Sequence, residues 1–168
     1  MEKRNPIIAP AVSAGNLVNL ERGKLPPQAV DLEEAVIGAM LIDKKGVDEV
    51  IDILQPEAFY KEANQHVFTA IHTLFETSEP IDLLTVSACL RKMGLLEKVG
   101  GDFYLVQLSK KVSTSAHIEF HARIILQKFI QRSLIKISNE IIEDAFKDSI
   151  DVFDLLDVAE SKLYDVTQ

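Results

Sequence analysis

Apolar residues in this chain fall into helical stripes, and no run alternates with period two over the length of a strand. From Asp31 onward Leu32, Ala35, Val36, Ala39 and Met40 share one face, with Asp31 and Glu34 at the spacing of a capping box and Val30 placed to staple the first turn. Asp43 to Gly46 reads as a turn. Val47, Val50, Ile51 and Leu54 then give a short helix ended by Pro56, and a single turn follows that plants Phe59 in the core. Asn64 is placed to cap a third helix striped by Val67, Phe68, Ile71, Leu74 and Phe75. Leu83, Val86, Ala88, Cys89 and Leu90 follow, ended at Met93 and Gly94. After a brief turn at Leu95 and Leu96, Gly100 and Gly101 break the chain before Phe103, Tyr104, Leu105 and Leu108.

Residues 115–147 contain neither Pro nor Gly, so nothing interrupts a helix there, and Ser113, Thr114 or Ser115 can cap it. Its buried side changes partway. Ile118, Ala122, Ile125, Leu126 and Phe129 form one stripe. Beyond Gln131 the apolar residues Leu134, Ile135, Ile137, Ile141, Ile142, Ala145 and Phe146 lie roughly opposite, and Arg132, Lys136, Glu140, Glu143 and Lys147 take over the first face. A helix that switches faces has two partners: its own bundle first, something else second. A short acidic turn leads to a last helix from about Asp151, striped by Val152, Leu155, Leu156, Ala159, Leu163 and Val166, with Phe153, Val158 and Tyr164 to spare. So short a turn makes the two helices antiparallel neighbours. The expected fold is all-α: a small globular helical bundle at 28–112, then a protruding antiparallel two-helix hairpin at 113–168. Residues 1–27, broken by Pro6, Pro10, Gly15, Gly23, Pro26 and Pro27, read as a flexible arm.

The chain's 168 residues, 47% hydrophobic, can bury a core, and the net charge of −8 argues against a general nucleic-acid surface. Residues 148–168 hold six acids against Lys162 alone. The single cysteine, Cys89, sits among apolar neighbours and fits a core thiol in a reducing compartment. Neither a secretory leader nor a membrane span is indicated. Gly23-Lys24-Leu25 lacks the hydroxyl residue of a phosphate loop, and no other Gly-Lys-Ser/Thr occurs. His117 and His121 have a metal-compatible spacing but no third ligand, and His66 and His72 read as satisfied structural histidines. These residues point to an interaction module rather than an enzyme, with no catalytic, cofactor or metal site of its own. The spare apolar surface of the hairpin is the feature that calls for a partner.

Leu32-Glu33-Glu34-Ala35-Val36-Ile37-Gly38, Leu54-Gln55-Pro56-Glu57-Ala58-Phe59-Tyr60, His66-Val67-Phe68, Pro80-Ile81-Asp82-Leu83-Leu84-Thr85-Val86 and Val99-Gly100-Gly101-Asp102-Phe103-Tyr104-Leu105 recur in order. With Arg132-Ser133-Leu134-Ile135 and Asp154-Leu155-Leu156-Asp157-Val158-Ala159-Glu160, the series resembles the N-terminal domain of the bacterial replicative DNA helicase, the DnaB family, from about Leu25 to the end. His117 departs from the family's usual Asn. The resemblance implies a parent protein that continues into a RecA-like ATPase domain, where ATP and Mg²⁺ drive 5′-to-3′ unwinding and where DNA is mainly contacted. It also implies pairing of hairpins into a trimer-of-dimers collar in a hexamer, docking of a DnaG-type primase, contact with a helicase loader, and a cytoplasmic protein. Carried onto this chain, the interface falls on Leu134, Ile135, Ile141, Ile142, Phe146, Leu155 and Leu156. The competing expectation is a stand-alone all-α adaptor that shares the bundle.

Overall fold

The breakers in the sequence set the lengths of the elements. A computed structural model of the chain describes residues 24–111 and 117–166. In it α1 is Val30–Ile42, α2 Lys44–Val50, α3 Glu62–Glu76, α4 Leu83–Lys92, α5 Leu96–Val99, α6 Gly101–Lys110, α7 Ile118–Ala145 and α8 Val152–Val166, with a 3-10 turn at Pro56–Ala58. Among the described residues there is no strand. The expected flexible arm lies almost wholly outside the described residues, as do the candidate caps Ser113, Thr114 and Ser115.

The fold is assembled around α1. Val36 to Leu41 are all buried, so α1 is enclosed on every side rather than along one stripe. α2, α3, α6 and α7 pack against it. The core joins Ile37 and Met40 to Phe59, Phe68, Ile71, Leu90, Leu105 and Leu108. Phe59, on the residue after the 3-10 turn, is fully buried with its ring 4.9 Å from that of Phe68. Cys89 is half-buried against this core.

Local chemistry differs from the sequence pattern at three helix starts. α1 begins one residue before Asp31, with Ala29 at the N-cap position and no side-chain cap. Asn64 stands in the first turn of α3, and its side chain is taken into the core by Glu33 instead of capping. Asp43 caps a real helix, its carboxylate accepting from Lys45 N–H, where Asp43 to Gly46 had the composition of a turn. Gly46 lets α2 approach α1: a Cβ there would lie 3.0 Å from the Ala39 carbonyl carbon and oxygen. Asp82 caps α4 in a full capping box with Thr85. Gly100 and Gly101, at φ of +105° and +69°, turn the chain from α5 into α6.

α7 carries the architecture outward. Ile118, Ala122 and Ile125 are buried in the bundle, and Leu126 and Phe129 pack against its core. From Leu126 on, no residue of α7 is buried, and none of α8 is. α8 is capped by Asp151, whose carboxylate accepts from Phe153 N–H at 2.8 Å, and it returns antiparallel along α7. Lys162 Nζ fixes that pairing at 2.9 Å from Glu140 Oε2 and 4.0 Å from Asp144 Oδ2.

Candidate interaction surface

The residues expected to form an interface lie on the hairpin in two states of exposure. Leu134 is 40% exposed, Ile135 43%, Phe146 60% and Leu156 60%, values high for such side chains in a finished core. Ile141, Ile142 and Leu155 are half-buried. The stripe along α8 divides. Leu155, Ala159 and Val166, with Lys162, are partly covered, whereas Val152, Leu156 and Leu163 are open to solvent. One partner helix covers only part of so wide a stripe, and Phe153 and Tyr164 widen the open part further. Ile135 and Phe146 stand eleven residues apart on one helix, about 16 Å along its axis. The surface therefore runs the length of the arm rather than forming one pocket.

Two expected solvent-facing residues of α7 turn inward. Glu140 faces α8 and holds Lys162, whereas Lys136, Glu143 and Lys147 of the same charged face stay exposed. Arg132 returns to the bundle. Its Nη1–H donates to Pro27 O at 2.8 Å and its Nη2–H to Ala58 O at 2.6 Å, while the guanidinium carbon lies 5.5 Å from the Tyr60 ring and 5.8 Å from that of Phe129. Burial pushes its pKa down. Beside it, a groove of about 790 Å³ is lined by Leu25, Pro27, Tyr60, Arg132, Ile135 and Lys136, among others. Ile135 thus faces the root of the arm, and Phe146 its tip.

Behind the root lies a buried polar cluster. Glu33, 1% exposed, accepts from Tyr60 N–H at 2.7 Å, Lys61 N–H at 3.3 Å and Asn64 Nδ2–H at 3.0 Å. These donors surround the N-terminus of α3, where a carboxylate is favoured by the helix dipole and supplies the cap that Lys61 does not. Tyr104 O–H donates to Asn64 Oδ1 at 2.6 Å, and burial raises the phenol's pKa. Lys61 Nζ lies 2.9 Å from Glu34 Oε1 and 4.5 Å from the centre of the Tyr104 ring, and Lys111 bridges to Glu34 Oε2. Burial pushes the Glu34 carboxyl up, but hydrogen bonds from Lys111 and Lys61 outweigh it and hold it below the ordinary glutamate value. Sequence reasoning missed this cluster. The one local signal was a pair of adjacent acids, Glu33 and Glu34, just ahead of the apolar run Ala35–Ile42.

The histidines are dispersed. His117 is exposed just ahead of α7, and His121 is half-buried one turn on. His66 Nε2 is 3.4 Å from Glu62 Oε1 but makes no hydrogen bond, so this ring is less well satisfied than its apolar setting suggested. Among the described residues no group of three or more His, Cys, Asp or Glu is placed to hold a metal ion, and no helix is long and apolar enough to cross a membrane.

Bundle and arm together define an all-α domain whose helical hairpin carries a long line of exposed apolar side chains. The family model described as DnaB-like helicase N terminal domain matches residues 25–127. The replicative DNA helicase DnaB of Rhodothermus marinus is 42% identical over 86% of this chain and 15% of its own length; that of Geobacillus stearothermophilus is 40% identical over 86% and 32%. The replicative DNA helicase DnaC of Bacillus subtilis (strain 168) is 36% identical over 90% of this chain and 34% of its own. The chain thus spans about a third or less of the length of these relatives. The solved N-terminal domain of DnaB helicase from Mycobacterium tuberculosis superposes with a TM-score of 0.79 at 34% identity, over 84% of this chain and 99% of that one. A structure of a DnaB-like replicative helicase and its interactions with primase gives 0.67 at 24% identity over 81% and 30%, a likeness of fold. This chain belongs to the DnaB-like helicase N-terminal domain family.

Proposed function

We propose that this chain is the assembly and partner-docking part of a cytoplasmic replicative DNA helicase. Its hairpin pairs with that of a second copy, and the pairs build a hexameric collar that receives a DnaG-type primase and a helicase loader. ATP and Mg²⁺ act in a separate ATPase domain of the parent protein, which also makes most DNA contacts. One observation carries the reading: the described part of the hairpin is an antiparallel pair with no buried residue in α8 and a line of open apolar side chains from Leu134 to Leu163. Such a line has the aliphatic and aromatic anchors of a self-complementary interface. The primase named with one fold relative supports the docking half of the reading.

Sedimentation of this chain, alone and with the cognate primase, tests both halves. Ile141→Asp places a carboxylate at the half-buried edge of the surface and is expected to weaken self-association at least about a hundredfold, as for a lost interface anchor. Wild-type assembly and wild-type primase binding by that variant would place the interface elsewhere.

A further inference from the structure

α7 has no Gly or Pro between Ile118 and Ala145, so it projects from the bundle as one rod. The direction of a rod is set by what holds its root. Just beyond Phe129, Arg132 reaches back to the bundle through two hydrogen bonds. Its two bonds run to carbonyls 105 and 74 residues away in sequence, one just ahead of α1 and one at the end of the 3-10 turn. Two aromatic rings flank the guanidinium, Tyr60 from the bundle and Phe129 from α7 itself. Among the described residues Arg132 makes no close ion pair; its charge is met by two carbonyl dipoles and two ring faces, with the more distant Glu33 carboxylate also favouring it. A planar fork fixes two acceptors in a defined geometry, which a lysine on a flexible stem cannot do.

We infer that Arg132 is a positioning residue that sets the angle at which the hairpin leaves the bundle. Both carbonyls must be reached at once, and only a narrow range of rod directions allows it. The half-open groove beside it, lined by Leu25, Tyr60 and Ile135, leaves room on that side for the rod to tilt once the fork is lost. The leverage is large. From Arg132 to Ala145 the rod rises about 20 Å, so a swing of about 20° carries its end by about 7 Å. Identical subunits close into a ring only at a fixed angle between their contacts, so a free arm would still pair but would close poorly. The angle itself does not depend on whether hairpins pair.

The test measures the angle directly. Spin labels at E97C, on α5, and S149C, at the tip, in a C89A background give one bundle-to-tip distance; dilution with unlabelled protein removes distances between copies. Arg132→Lys is expected to keep the helical signal and melting midpoint while its distance distribution shifts or spreads by about 7 Å. Lys136→Ala, beside the same groove but outside the fork, is expected to keep the wild-type distribution. An unchanged distribution in Arg132→Lys overturns the inference, as does equal broadening in Lys136→Ala. If Arg132→Lys fails to fold, Arg132→Gln is measured in its place. Loss of the fold in both variants would make Arg132 a stabilising rather than a positioning residue, and would also overturn it.

Discussion

Replacing Glu33 by alanine removes the acceptor of three buried or part-buried donors: Tyr60 N–H, Lys61 N–H and the Asn64 amide. Water cannot readily take its place, because Glu33 and Asn64 are 1% and 0% exposed. Each donor left without a partner costs about 1–3 kcal/mol, and the Lys61 bond at 3.3 Å belongs at the low end, so the sum is about 4 kcal/mol. For a chain of this size that lowers the melting midpoint by about 12 °C. Glu33→Gln separates charge from shape. Its amide oxygen can still accept from Tyr60, and Asn64 can turn over because the Tyr104 hydroxyl can accept as well as donate. The loss should then be about 1–2 kcal/mol, mainly the Lys61 bond and the attraction to the α3 dipole. Urea unfolding followed by circular dichroism at neutral pH measures both. If Glu33→Ala comes within about 0.5 kcal/mol of wild type, the carboxylate does not hold the start of α3 and the buried cluster is incidental.

Gly46→Ala meets the Ala39 backbone, which cannot yield as a side-chain tip can, and should cost about 1–3 kcal/mol in the same unfolding assay. Asp82→Ala removes the capping box of α4 and should cost about 1 kcal/mol, visible as a lower urea midpoint at unchanged slope. For Glu34, the depressed folded pKa makes its contribution to stability full above the ordinary value of 4.5, with loss as pH falls through the lower folded value. The melting midpoints of wild type and Glu34→Gln should therefore differ at neutral pH and converge on acidification; a gap that persists well below pH 4.5 would contradict the ion pairs with Lys61 and Lys111.

The change of face near Gln131 was legible because helical periodicity is local: the stripe ending at Phe129 meets the core, and the residues after it do not. The family motifs likewise fixed the order of the helices. What stayed hidden depends on partners distant in sequence. Glu33 meets donors 27, 28 and 31 residues on, and no spacing rule announces them. Arg132 looked like one more charge on a solvated face until the carbonyls of Pro27 and Ala58 were placed beside it. The bounds of α2 were misplaced for a different reason: a helix through Val47 and Val50 was expected, but Asp-Lys-Lys-Gly has the composition of a turn and becomes its first turn because α1 is there to cover Val47 and Val50. The hairpin stripe showed that α8 is amphipathic, but not which half of it α7 would cover.

α7 belongs to two regions whose stabilities have different origins. Its first three turns are held by the bundle and can open only when the bundle does. The turns beyond Arg132 have no buried residue and, among the described residues, pack mainly on α8, so their backbone hydrogen bonds sit toward the low end of the local-unfolding scale. A single helix thus contains a gradient from globally protected to readily fraying amides. Whatever covers the outer turns adds its binding free energy there and leaves the inner ones little changed. Occupancy of the arm would be recorded along one helix, with the bundle end serving as its internal reference.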